Sequence, residues 1–326
     1  MWLFNSSVGR KFVMALTGAC LVLFVTFHCL MNSVAIAWPE AYNSICEFLG
    51  ANWYALIASA GLAVLVIIHI IYAVWLTVQN RKARGSVRYS IEKRPASVEW
   101  SSKNMLVLGI VILAFLVVHL IQFWAKMQLQ EIRGVHDVLP PAAGTLFLQI
   151  AFEQVYTPIV YIIGFVALWF HMNHGFWSMF QSVGWDSTVW IPRLKKIGCW
   201  WVSIVIALFI AQAIVFTVQA HNKFFLRDAR LRDQYKEMLV PMYEKDFGPD
   251  AAQTIASWPY ETFSMQMHQM GEQFSNEQFV AAMAQQNPEF EKQAELVNRT
   301  VALLDILEEG QPKEVNNPMF MGQPQQ

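Results

Sequence analysis

Four histidines, His28, His69, His119 and His171, fall one apiece in four successive long apolar stretches of the chain. An ionisable side chain inside a membrane segment is costly, so it normally faces the interior of a helix bundle and marks a functional site. Imidazole is a standard axial ligand of haem iron, and cofactor sites in bundles are built from inward side chains on facing helices. A lone membrane histidine serves equally well as an interhelical hydrogen-bond partner. Four at matched depths suggest instead two haems, each held between two rings. Cys20, Cys29, Cys46 and Cys199 are scattered, with no C-x-x-C pair and no C-x-x-C-H, so such haem would be non-covalent.

The elements that must position these rings are membrane helices. The 326 residues are 55% hydrophobic and 14% charged, with a mean hydropathy of +0.34, too apolar for an ordinary soluble domain. Five segments free of Asp, Glu, Lys and Arg are each long enough to cross a hydrocarbon core of ~30 Å as a helix: Phe12 to Ile36, Trp53 to Gln79, Asn104 to Ala125, Tyr156 to Phe180, and Ile197 to Ala220. The first follows Arg10-Lys11, lacks an A-x-A cleavage site and reads as a retained helix. The fold class expected is therefore all-α, a polytopic five-helix membrane bundle over residues 1–220. Residues 1–220 carry 14 Lys+Arg against 8 Asp+Glu, whereas residues 221–326 carry 9 against 16. The second region reads as an acidic, mostly helical extension. Leu226, Leu231, Tyr235 and Leu239 give it an amphipathic face, Asn276 and Pro288 signal helix starts, Gly310 signals a stop, and a disordered Gln/Pro/Asn-rich end follows.

Positive residues collect on the cytoplasmic side of a membrane. Arg10 and Lys11, the cluster Arg81, Lys82, Arg84, Arg88, Lys93, Arg94 and Lys103, and then Arg193, Lys195 and Lys196 share one side; only Lys126 and Arg133 lie opposite. The N-terminus is expected inside and the extension outside, in a multi-pass cytoplasmic (inner) membrane protein. Trp38, Trp53, Trp124, Trp185, Trp190, Trp200 and Trp201 near the span ends suit the headgroup layer. The loops Trp38 to Asn52 and Lys126 to Val155 then face outward.

With 1.5 Å of rise per residue, His28 and His119 lie about 24 Å from the inner ends of their spans, and His69 and His171 roughly 14 Å. Depth thus pairs His28 with His119 and His69 with His171, the two levels differing by about 10 Å. His174 shares a helix face with His171, and spacing alone allows either to be the ligand; depth favours His171. His174 would then be a hydrogen-bonding neighbour of a ligand or of a haem propionate. His136, His221 and His268 lie outside the spans and read as solvated or interfacial.

The chain resembles the five-helix, di-haem cytochrome b subunit of succinate:quinone and quinol:fumarate oxidoreductases. The resemblance covers about residues 5–220 and rests on N-S-S-V-G-R-K-F-V-M-A-L-T-G from Asn5 to Gly18, H-C-L-M-N from His28 to Asn32, then His69, His119 and H-x-x-x-G-F-W-S from His171 to Ser178. It implies two haem b with iron ligands His28, His69, His119 and His171, the last because the family's helix-four histidine precedes Gly175-Phe176-Trp177 by the same step. It also implies a cytoplasmic iron-sulfur subunit and an FAD flavoprotein that interconverts succinate and fumarate, chemistry absent from this chain. Membrane lipid and a quinone, menaquinone by resemblance, complete the partners. No nucleic acid is expected, and a dimer of the whole complex is compatible. Trp169 stands where some members carry a glutamate, which removes that proton route, and the shorter members lack the acidic extension.

Glu40, Glu47 and Glu153, on the outer loops, are the candidate groups for relaying protons to a quinone, with ordinary loop solvation the competing reading. The basic inner loops could dock an acidic partner or pair with haem propionates. Two other functions compete: the di-haem b subunit of another quinone-linked complex, of nitrate reductase or hydrogenase type, and a non-haem transporter or scaffold.

Overall fold

The computed structural model describes residues 6–50, 52–84, 100–133 and 137–311. Arg88, Lys93 and Arg94 of the basic loop, His136, and the Gln/Pro/Asn-rich end lie outside the described residues, which contain helices and no strand. Two compact units divide the chain, 1–222 and 223–326.

The first unit comprises α1 (Ser7–Ala37), α2 (Pro39–Gly50), α3 (Trp53–Arg84), α4 (Trp100–His119, prolonged by a π-helical turn at Leu120–Trp124), α5 (Gln128–Arg133), α6 (Gly144–Glu153), α7 (Tyr156–Ser182) and α8 (Trp190–His221). Five of these, α1, α3, α4, α7 and α8, are long and apolar enough to cross a membrane. Most outrun the charge-free segments that announce them: α3 continues through Arg81 and Lys82, and α8 starts ahead of Arg193, Lys195 and Lys196. A cationic side chain can lay its stem along apolar surface while its head reaches the interface, so the first charge marks the edge of the hydrocarbon layer rather than the end of the helix. All seven tryptophans at the span ends are exposed.

Local chemistry sets the boundaries. Ser6 caps α1 by accepting the Gly9 N–H at 2.9 Å, a contact worth about 1 kcal/mol. α1 stops at Trp38 because the residue before a proline is pushed out of helical geometry, and Pro39 suits the first turn of α2. α7 ends on Gly184, whose φ of 94° needs no Cβ. There the Gly184 N–H donates to Gln181 O at 3.2 Å and the Trp185 N–H to Phe180 O at 3.0 Å, while the Phe180 and Trp185 rings stack 5.6 Å apart.

The segments that join α1 to α3 and α4 to α7, expected as loops, contain helices. α6 is buried along almost its whole length and packs against α2 and α8. Asn43 Oδ1 on α2 accepts both the backbone N–H (2.9 Å) and the hydroxyl (2.8 Å) of Thr145. Gln149 Nε2 donates to Ala220 O at 2.7 Å, satisfying a carbonyl in the last turn of α8.

α8 packs along α1 and α7 and is laced to them by polar contacts. Gln212 Nε2 donates to Cys29 O at 2.9 Å and Ser33 Oγ at 2.8 Å, Trp201 Nε1 to Thr26 Oγ1 at 3.2 Å, and Trp169 Nε1 to Ser203 Oγ at 2.9 Å. Gly198 of α8 leaves no room for a Cβ beside the Phe176 ring, and Gly164 of α7 none beside Phe115. Small residues of this kind let membrane helices approach closely.

The second unit is built from α9 (Phe224–Arg227), α10 (Ala229–Phe247), α11 (Pro249–Ser257), α12 (Tyr260–Phe274), α13 (Glu277–Gln286) and α14 (Phe290–Glu309). Leu226, Leu231, Tyr235 and Leu239 are buried with Phe263, Met267, Leu303 and Leu304 in its own core. Asp228 caps α10, and Asn276 caps α13 by accepting the Gln278 and Phe279 N–H groups, both at 3.1 Å. Pro288 sits two residues ahead of α14, because Asn287 and Glu289 form the turn that feeds it, and Gly310 follows its end.

Candidate functional site

In the first unit α1 packs against α3 and α7, and α4 against α7. That arrangement gathers the four membrane histidines into two pairs. The ring centres of His28 and His119 lie 5.7 Å apart with planes at 84°, and those of His69 and His171 lie 6.3 Å apart with planes at 64°. Each pair joins two different helices. Two imidazoles bound to one metal ion at about 2.0 Å each would have ring centres roughly 6 Å apart. The 5.7 and 6.3 Å separations fit two rings that could hold one metal ion between them. The buried Nδ1 of His171 has no hydrogen-bond partner, and among the described residues the His28 ring makes ring contacts only. Rings free of competing hydrogen bonds fit a ligand role.

The two pairs have different surroundings. Around His28 and His119 stand Phe24 (5.5 Å from His28), Phe209 (6.2 Å from His28), Phe115 (6.0 Å from His119) and Phe123 (5.3 Å from His119). Tyr161 OH lies 3.2 Å from His119 Nδ1, and continues by hydrogen bonds to Gln122 and Thr157. Beside His69 the neighbours are smaller: Thr17 Oγ1 is 3.1 Å from His69 Nδ1, and a Cβ on Gly18 would stand 3.7 Å from its Cε1.

These contacts give two rulers for the separation of the levels. Thr17, which meets His69, and His28 are eleven positions apart on α1; Tyr161, which meets His119, and His171 are ten apart on α7. They correspond to about 15–17 Å of helix. That exceeds the 10 Å obtained from the span ends, because the helices run unequal distances past the charge-free segments from which depth was counted.

His174 does not join a histidine pair. Its ring packs edge-on to Trp177 at 4.9 Å, and Lys195 Nζ sits over the same indole at 4.2 Å. Glu40 and the exposed Glu47 lie on α2, and Glu153 ends α6, where it accepts from Gln149 Nε2 at 3.3 Å. In the second unit His268 is bonded to Ser264 O (2.8 Å) and Asp305 Oδ1 (3.2 Å) rather than simply solvated. Burial works against its charge, but the Ser264 carbonyl and the Asp305 and Glu308 carboxylates prevail and raise its pKa above the usual histidine value.

Thr17, Tyr161, Gln122 and the π-helical turn after His119 were not singled out in the sequence. One signal was present: Thr17 and His28, eleven residues apart, fall on the same face of α1, so a hydroxyl three turns from one histidine was placed to meet another at the second level. Comparison of the chain with protein-family models, with curated proteins and with solved structures finds no match.

Proposed function

We propose that this chain is the membrane-anchor cytochrome b subunit of a succinate:quinone oxidoreductase or quinol:fumarate reductase. The reading is supported above all by one observation, the meeting of four membrane histidines as two ring pairs on facing helices. His28 and His119 would hold an outer haem b, and His69 and His171 an inner one. When bound, the haems supply one-electron carriers at two depths of the membrane.

The chain's residues do the rest. The four imidazoles would hold the iron, and the phenylalanines about His28 and His119 would keep water from that level. Glu40, Glu47 and Glu153, on α2 and α6, exchange protons between outer water and a membrane quinone, menaquinone by resemblance. Positive-inside topology supports a cytoplasmic N-terminus in the inner membrane and an extracytoplasmic second unit. Arg81, Lys82, Arg193, Lys195 and Lys196 then face the cytoplasm, where they dock the iron-sulfur subunit, with the FAD flavoprotein beyond it.

A reduced-minus-oxidised spectrum with haem quantitation of the purified chain tests the centre of the proposal. A b-type band with two haems per chain is expected, and a colourless chain refutes it. A redox titration of the intact complex with succinate, fumarate and quinols tests its partners.

A further inference from the structure

We infer that Tyr161 and Thr17 are positioning residues that hold His119 and His69 in a single tautomer, hydrogen on Nδ1 and lone pair on Nε2. The consequence for haem rests on the function proposed above; the tautomers do not.

The assignment follows from counting protons. A hydroxyl has one hydrogen to donate and a neutral imidazole carries one N–H. Tyr161 donates to Gln122 Oε1 at 3.0 Å, and the other end of that amide, Nε2, is directed at Thr157 Oγ1 at 2.9 Å and Tyr156 OH at 3.5 Å. With its proton committed, the Tyr161 oxygen can only accept from His119 Nδ1, 3.2 Å away. Thr17 sends its proton back into its own helix, to Val13 O at 2.9 Å and Met14 O at 3.1 Å, as a helical threonine commonly does. Its oxygen, 3.1 Å from His69 Nδ1, is likewise left as an acceptor.

The hydrogen bond on one ring nitrogen decides which nitrogen is free for a metal, and it fixes the ring's orientation and raises its basicity. Each pair thus contains one oriented imidazole, His119 or His69, and one without such an anchor, His28 or His171. Gln122 lies inside the wide turn Leu120–Trp124, closed by the Ala125 N–H to Leu120 O at 2.8 Å. Turns of this type occur frequently at functional sites. Here the turn carries the amide that sets the outer tautomer.

The test is nitrogen-15 histidine magic-angle-spinning NMR of the full chain in lipid bilayers, before and after haem loading. Two side chains are expected as the Nδ1–H form in the unloaded chain, one displaced by Tyr161→Phe and the other by Thr17→Val but not by Thr17→Ser. The Nε2–H form at His119 or His69 overturns the inference; at His119 it would mean that the Gln122 amide is reversed. In the loaded protein Tyr161→Phe should shift only the outer midpoint potential upward and Thr17→Val only the inner one. Gln122→Leu frees the Tyr161 proton to face His119, so outer-haem affinity should fall about tenfold or more. The double variant Gln122→Leu/Tyr161→Phe should recover most of that loss; additive losses overturn the proton count. A chain that binds no haem refutes the function proposed above while the unloaded spectra still decide the tautomers.

Discussion

The imidazole of His69 meets that of His171 at 6.3 Å between ring centres, whereas His174, one turn further along the same helix, turns to Trp177 instead. His69→Ala and His171→Ala should each lower haem from two to one per chain by removing the inner haem, while His174→Ala keeps both. Pyridine haemochrome assay of the three variants measures this. Retention of both haems by His171→Ala together with loss in His174→Ala would reverse the assignment.

The seam between α4 and α7 depends on Gly164, where any Cβ overlaps the Phe115 ring. Gly164→Val should therefore cost about 1–3 kcal/mol, the usual penalty of overpacking. Because Phe115 is also a neighbour of His119, the outer haem should be released before the inner one as the variant is heated. Absorbance followed during thermal unfolding in detergent checks the order.

Gln212 ties α8 to α1 through hydrogen bonds to Cys29 O and Ser33 Oγ and a longer one to Cys29 Sγ. Gln212→Leu leaves those acceptors without that donor inside the membrane layer. Hydrogen bonds between membrane helices are worth about 0.6 kcal/mol on average and up to about 1.7. A destabilisation of roughly that size is expected in unfolding by sodium dodecyl sulfate, with the haem spectrum unchanged in the folded protein.

The contacts of His268 with the Ser264 carbonyl and, after it, the Asp305 and Glu308 carboxylates give the second unit a pH dependence of definite sign. The folded pKa of His268 is raised, so the stabilisation is complete below the ordinary histidine pKa of about 6.5 and is lost as the pH climbs through the raised value. The unit's unfolding temperature in calorimetry of the full chain should fall from pH 6 to pH 8. Asp305→Asn should reduce that slope and His268→Gln should remove it; a slope unchanged in His268→Gln would show that the titration lies elsewhere.

Much of this arrangement was legible from residue types and counting. Long charge-free runs announce the five spans, the change of charge balance after residue 220 announces the second unit, and depth along the spans foretells which histidine rings meet. The shortfalls have physical causes. α6 is apolar on nearly every face and only 10 residues long, so it shows no amphipathic period by which a loop and a short buried helix could be told apart. Thr17 and Tyr161 gain their meaning from a neighbour on another helix, 52 and 42 positions away, which no local pattern encodes. The widened turn after His119 has no marker residue, since neither Gly nor Pro lies within Leu120–Trp124.

That turn also works as a phase shift. In an α-helix each residue advances the side-chain direction by about 100°. A turn closed by Ala125 N–H on Leu120 O takes up one residue more than an α-turn would, so the residues after it point where an uninterrupted helix would have placed their predecessors. Deleting one residue at Phe123 would let α4 continue as plain α-helix with the direction of Trp124 preserved, whereas closing the turn as α-helix with every residue kept would swing Trp124 round by that angle relative to His119. The ring that faces the pair and the indole that faces outward could then no longer both keep their directions. Orientation around the His28–His119 pair is therefore encoded in the length of one turn as much as in the identity of its histidines.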